Sequence, residues 1–506
     1  MDSKKIIIAN IIAQYTKSIV NICLSLYSTR LVLNALDISD YGIYSLVAGV
    51  VGIFGYLANS LVVTTQRYIS FYHGAGDIAQ VKKFFANSIF IHFVICILFA
   101  AILFTIGNYV ICHFLNIAAE RKEAALIVYF VTTLMLIMTI ATTPFKALLV
   151  AHENIIYISI IEICDGVLKL CLALTLISVD TDKLVFYSLM MLCILTINFL
   201  AFSLYCFFKY EESRIRLRND TLDKQCIRQI TGFAGWTTFG MLAGLSQTQG
   251  TAIILNKSFG TTMNAAFGIA SQVNGAIRFV STSILNAMNP QIMKAEGAND
   301  RAGMLKLAGK ESKFSTALMI LISMPLIFEM PDILSLWLKE VPAYSAMFCR
   351  ALMIAFIVDQ LTLGLHAANQ ATGHIKVYTI CTTLPKILLI PIMWAIISMG
   401  YPITTAMAFY VGIELLVAIF RIPYMKYSAG LDIWSYVNDV LKPLIPLIMF
   451  TVFACYMTTC CLHFPFRFVI TGIVSVSVSM GCIWRFTLTD SERSYVKTLL
   501  PKKKSA

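Results

Sequence analysis

Charge is scarce in this chain. Asp and Glu number 27 and Lys and Arg 39 among 506 residues, 13% in all, against 58% hydrophobic residues and a mean hydropathy of +0.78. That shortage excludes a soluble globular domain, whose surface could not hide so much apolar side chain. Long polar segments are scarce too. The longest, KYEESRIRLRNDTLDKQCIRQI, covers residues 209–230, and the longest loop on the other side is about sixteen residues around PDILSLWLKEVPAYSAM. Metal-ligand spacing is absent: no C-x-x-C pair occurs, and Cys460-Cys461 with His463 reads as a helix end, so no metal is expected. The 14 cysteines lie almost entirely in apolar runs, as Cys96, Cys164, Cys193 and Cys381 do, and read as small buried hydrophobes rather than a disulfide framework.

What fills the chain is apolar sequence in blocks of about 17 to 25 residues, each long enough to cross roughly 30 Å of hydrocarbon at 1.5 Å per helical residue. Fourteen such runs recur, from residues 8–32 to residues 467–485. Runs of this length are helices, not the shorter alternating strands of a membrane barrel. The first follows Lys4 and Lys5 and is interrupted by Gln14, Lys17 and Asn21, which reads as an uncleaved signal anchor. With both termini on the cytoplasmic side, inner loops hold 27 Lys and Arg and outer loops 8. The net charge of +12 is then explained by basic loops against an anionic leaflet, without nucleic acid.

A phrase is written twice. YGIYSLVAG at 41–49 matches FGIASQVNG at 267–275, with Gly42/Gly268, Ile43/Ile269, Ser45/Ser271, Val47/Val273 and Gly49/Gly275 identical. Each begins the second helix of a half and leads to a similar loop, HGAGDIAQVKK or EGANDRAGMLK. The expectation is an all-α polytopic membrane protein of about fourteen transmembrane helices, with two pseudo-symmetric six-helix lobes enclosing a cleft. Residues 1–208 form the first lobe, 209–230 an inter-lobe linker, 231–424 the second lobe, and 425–506 an interfacial helix, two further spans and a basic tail. DIWSYVNDVLKP is the expected interfacial helix; DIAQVKKFF and RAGMLKLAGK are weaker versions.

Polar residues recur at helical spacing. Asn10, Gln14, Lys17, Asn21, Ser25 and Ser28 share one face of the first span, and Ser271, Gly275, Arg278, Thr282, Asn286 and Asn289 one face of the eighth. Water-lined faces are expected for both, with small-residue helix packing as the alternative. A charge near the bilayer centre costs at least ~2.5 kcal/mol, so intramembrane ions face a cavity or a partner. Lys17, Lys169, Arg278 and Lys386 are the basic ones; Glu162, Asp165, Asp359 and Glu414 the acidic ones. Glu162, Asp165 and Lys169 share a face, and Lys169 can neutralise Asp165 four residues away. Lys17, Arg278 and Lys386 have no acid within their own helices and are candidates to grip an anion. In the tenth span Asp359, Thr362, His366 and Asn369 fall on roughly one face. Asp359, Glu414, His366, Glu162 and Asp165 are candidates for binding Na⁺ or H⁺ as a coupling ion, with helix–helix hydrogen bonding as the alternative.

The stretches STRLVLNALDISDYGIYSLVAGV, FKALLVAHENIIYISIIEI and FGTTMNAAFGIASQVNGAIRFVSTSILNAMNPQI together resemble the polysaccharide-exporter flippases. These are the Wzx-type transporters of lipid-linked oligosaccharides, in the superfamily that also holds multidrug and toxic-compound extruders. The resemblance implies a bacterial inner-membrane protein, with no cofactor, that moves an undecaprenyl-pyrophosphate-linked oligosaccharide from inner to outer leaflet. It implies Lys17, Arg278, Lys386 and Lys169 on the phosphates and Gln14, Asn21, Gln247 and Asn286 on the sugars. Partners would be that substrate, membrane lipids, and a polysaccharide polymerase or chain-length regulator. A cation-coupled drug extruder is the alternative; it is expected to carry an acid deep in the first or seventh span, and neither has one. A membrane enzyme of the same polysaccharide needs a larger external loop than this chain offers.

Overall fold

The computed structural model describes residues 54–114, 119–214, 222–259, 261–338, 341–462 and 466–499 continuously, with 117, 464 and scattered positions between 10 and 51. Gly42, Ser45 and Gly49 of the repeated phrase, residues 215–221 of the linker, His463 and residues 500–506 of the basic tail lie outside the described residues. Every regular element among the described residues is helical. In chain order these are α1 (Gly55–Gly74), α2 (Ile78–Tyr109), α3 (Lys122–Ala151), α4 (Ile155–Thr175), α5 (Lys183–Lys209), α6 (Lys224–Phe259) and α7 (Thr261–Gly297). There follow α8 (Arg301–Trp337), α9 (Ser345–Gln360), α10 (Leu363–Thr372), α11 (Ile375–Ser398), α12 (Ile403–Ala429), α13 (Leu444–Cys461), α14 (Arg467–Cys482) and α15 (Asp490–Leu499). The protein is an all-α, multi-pass membrane chain: eight described helices are long and apolar enough to cross a bilayer, nine if α9 and α10 count as one bent span. Helices α1, α4, α6 and α7 are not among the eight.

The chain forms two compact units, one of residues 1–241 with 289–299 and the other of residues 242–288 with 300–506. Tyr129, Val128, Ile140 and Leu103 anchor the core of the first. Phe267, Phe348, Met353 and Tyr410 anchor that of the second. The first unit includes residues 289–299, the end of α7.

Several helices outrun their apolar runs. Helices α7 and α8 are 37 residues each, about 55 Å of helix, because their polar ends are helical without being hydrophobic. DIAQVKKFF and RAGMLKLAGK are therefore not separate surface helices. They are the first turns of α2 and α8, started by Asp77 and Asp300, whose carboxylates accept from the backbone N–H of Gln80 (3.0 Å) and Gly303 (2.8 Å). Before each cap stands a left-handed residue, Gly76 (φ 72°) or Asn299 (φ 59°), so the two similar loops share one turn geometry. The segment at 432–441 does behave as an amphipathic surface helix: Tyr436 and Val440 are buried and Trp434 is exposed. The ninth run continues past its expected end through a kink at Glu329 to Trp337, which shortens the outer loop.

The tenth run is broken. Helices α9 and α10 meet at 47° across Leu361 and Thr362, which separates Asp359 from His366 and Asn369 instead of aligning them on one face. Side chains hold the freed backbone groups: Tyr436 donates to Leu361 O (2.8 Å), Arg421 to Asp359 O (3.3 Å), and Gly364 N donates to Ser312 Oγ (3.0 Å).

Candidate functional site

In the first unit a cavity of about 210 Å³ opens among α1, α3, α4 and α5, lined by Asn59, Thr142, Lys146, Glu162, Asp165, Lys169 and Asn198 among others. Helix α4 supplies the acids because Glu162, Asp165 and Lys169 repeat at helical spacing. Glu162 pairs with two lysines: Lys17 at 2.7 Å, from the first run, and Lys146, from α3. Lys169 pairs with Asp165 at 2.7 Å, and Asn198 donates to the other oxygen of Asp165 at 2.7 Å. Three lysines thus face two carboxylates, leaving one surplus positive charge. Lys146 and Lys169 remain about a third exposed, at 38% and 36% of their side chains, so both ammonium groups stay open to the cavity.

On the polar face of the first run Asn10, Gln14, Lys17 and Ser28 are buried, Asn21 is half-buried and Ser25 is exposed. Asn21 sits where a Cβ on Gly166 would come within 2.9 Å of its Oδ1. The acid partner that Lys17 lacks in its own helix comes from α4.

The second unit repeats the charge balance. Lys386 of α11 pairs with Glu414 of α12 at 2.8 and 3.0 Å, and Arg421 pairs with Asp359 at 2.8 Å. Arg278 lies over the Phe356 ring, 4.8 Å from its centroid, within electrostatic reach of Asp359 and with no ion pair among the described residues. Again three cations stand against two carboxylates. The α7 face around Arg278 is open: Gln272, Gly275, Thr282 and Asn286 are exposed with it. Polar side chains at mid-helix are costly against hydrocarbon, which is the physical reason to look for a ligand or water on this face. Gln247 is buried, with its Nε2 unpaired. His366 bonds Tyr378 at 3.2 Å and Gln370 at 3.1 Å, and is thereby engaged in helix–helix bonding.

At the basic end of the first unit, Glu153 holds the tail of α7. Left-handed itself (φ 59°), it accepts from Gln291 and Lys294 through its carboxylate, while its backbone oxygen accepts from Asn10 (2.9 Å). Beside it, His152 contacts Glu212 at 3.1 Å and meets His73 edge to face, 4.8 Å between ring centroids. The hydrogen bond from His152 holds the Glu212 carboxyl below its usual range against burial; burial, then Lys294 and His152, push His73 down.

No protein-family model matches the chain, and no curated protein matches it. Solved structures do. A MATE transporter in complex with MaD3S superposes with a TM-score of 0.74 at 14% identity, over 85% of this chain and 97% of that one. An outward-facing multidrug resistance MATE family transporter of the MOP superfamily gives 0.73 at 14% identity, over 85% and 96%. A MOP superfamily transporter from Pyrococcus furiosus gives 0.69 at 12% identity, over 84% and 96%. The fold is that of the MATE transporters.

Lys146, near the end of its apolar run, lies inside α3 and completes the first cluster. Glu153 and Lys294 stand 141 residues apart in the chain, and nothing in either local sequence announces their pairing.

Proposed function

We propose that the protein is a flippase of the bacterial inner membrane, with its basic end cytoplasmic, that moves an undecaprenyl-pyrophosphate-linked oligosaccharide from inner to outer leaflet by alternating access. The observation that carries this reading is Arg278, a guanidinium with no ion pair among the described residues, on an exposed polar face. A diphosphate supplies the counter-ion that Arg278 lacks, and the planar fork suits phosphate oxygens. Lys17, Lys169 and Lys386 reach phosphate by exchanging a carboxylate for it, which keeps each cation paired throughout. Gln14, Asn21, Gln247 and Asn286 offer amides to sugar hydroxyls, while the prenyl tail stays in lipid. Asp359, Glu414, His366, Glu162 and Asp165 are the groups of this reading that could exchange Na⁺ or H⁺.

A second reading is a multidrug extruder, favoured by the likeness to a multidrug resistance MATE transporter. Two clusters with surplus positive charge weigh against cationic drugs as cargo. Glycan-export complementation separates the readings. Arg278→Ala and Lys17→Ala should insert normally and lose export; full export by both variants would remove the phosphate grip.

A further inference from the structure

The acids expected to exchange a coupling ion are all engaged: Glu162, Asp165, Asp359 and Glu414 each contact a lysine or arginine. A different acid has no partner among the described residues. Glu311 in α8 is fully buried, and neither carboxyl oxygen has a hydrogen-bond partner; no other carboxylate among the described residues has a buried oxygen left this way. Its neighbours in the chain, Lys310 and Lys313, turn away to Glu492 of α15, at 3.8 and 3.0 Å. Ser312 is used by Gly364 N, and Ser315 bonds Gln360, which also accepts from Ser281 of α7. Tyr436, from the surface helix at 432–441, is the titratable group within electrostatic reach; no lysine, arginine or histidine among the described residues is.

A bare carboxylate in such a place is untenable, since an unpaired buried charge takes up a proton before it bears the cost of desolvation. We infer that Glu311 is a proton-binding site, occupied in this conformation, which can exchange its proton with water only when the packing around α8 opens. The step is acid–base alone: water delivers one proton to one carboxylate, and no electrons move. Each opening is thereby linked to the gain or loss of a proton. This inference is independent of the cargo.

The test uses the full chain in liposomes, with Glu311→Gln and Glu311→Met. Infrared difference spectra across pH should show, at neutral pH, the C=O stretch of a protonated acid in the natural protein and its loss in both variants. Both variants should also melt no lower than the natural protein. Labelling glutamate with a heavy carbon isotope decides the case on the natural protein alone, even if neither variant folds. Absence of the acid band at neutral pH overturns the inference. So does a rise in melting temperature with NaCl, at constant ionic strength, that Glu311→Gln abolishes, because the site would then hold a metal cation.

Discussion

Gly74 and Gly297 each press against the backbone of the other's helix. A Cβ on Gly74 would lie 2.0 Å from Lys294 O, and one on Gly297 would lie 1.8 Å from Phe71 O. The two occupy matching places in the repeated loops HGAGD and EGAND, so the repeat marks a reciprocal contact. Both contacts are with backbone atoms, which cannot rotate away. Gly74→Ala and Gly297→Ala should therefore each lower stability by about 1–3 kcal/mol, the usual range for overpacking. Because both substitutions damage one contact, the double variant should fall short of the sum. Melting curves in detergent check this; full additivity would show that the glycines act separately.

Lys386 and Arg278 should part company on stability. Lys386→Ala strands Glu414, whose side chain is 5% exposed, and a buried pair broken on one side loses about 3–5 kcal/mol. The double change Lys386→Met with Glu414→Leu should recover most of that loss. Arg278 has no ion pair to break among the described residues, so Arg278→Ala should melt close to the natural protein. Equal losses at the two positions would contradict this difference between Lys386 and Arg278.

Acidification should loosen the basic end of the first unit through His73. Its pKa lies below the ordinary 6.5 because burial, Lys294 and His152 disfavour its charged form. As the pH falls below about 6.5, the unfolded chain takes up this proton more readily than the folded one, so stability declines. Glu212 works the other way in charge: its depressed carboxyl contributes stability above its ordinary value, lost only as pH falls through its lower folded value. Its contribution therefore stays constant between pH about 7 and 5. Hydrogen exchange at the α1–α2 turn, taken relative to the intrinsic amide rate at each pH, should rise over that window in the natural protein and stay level in His73→Gln.

Helices and their membrane setting were legible because apolar runs report them directly, and the Glu162–Asp165–Lys169 face because its spacing lies within one helix. Pairings between helices were not legible. Nothing in the local sequence joins Lys17 to Glu162 or Lys386 to Glu414, so the cations looked freer than they are. Glu311 was hidden for the opposite reason: two lysines flank it in AGKESK, which reads as a solvated segment until both turn to Glu492. The break between Asp359 and His366 also escaped notice, since neither proline nor glycine stands at Leu361 or Thr362.

The central claim is that the surplus positive charge around Arg278 serves an anionic lipid cargo. Its most direct test is binding of undecaprenyl-pyrophosphate-linked oligosaccharide to the purified full chain, with a cationic drug as competitor. The account predicts saturable binding of the lipid, undisturbed by the drug and weakened at least tenfold, about 1.4 kcal/mol, in Arg278→Ala. Saturable binding of the drug, with none of the lipid and no effect of Arg278→Ala, would contradict it.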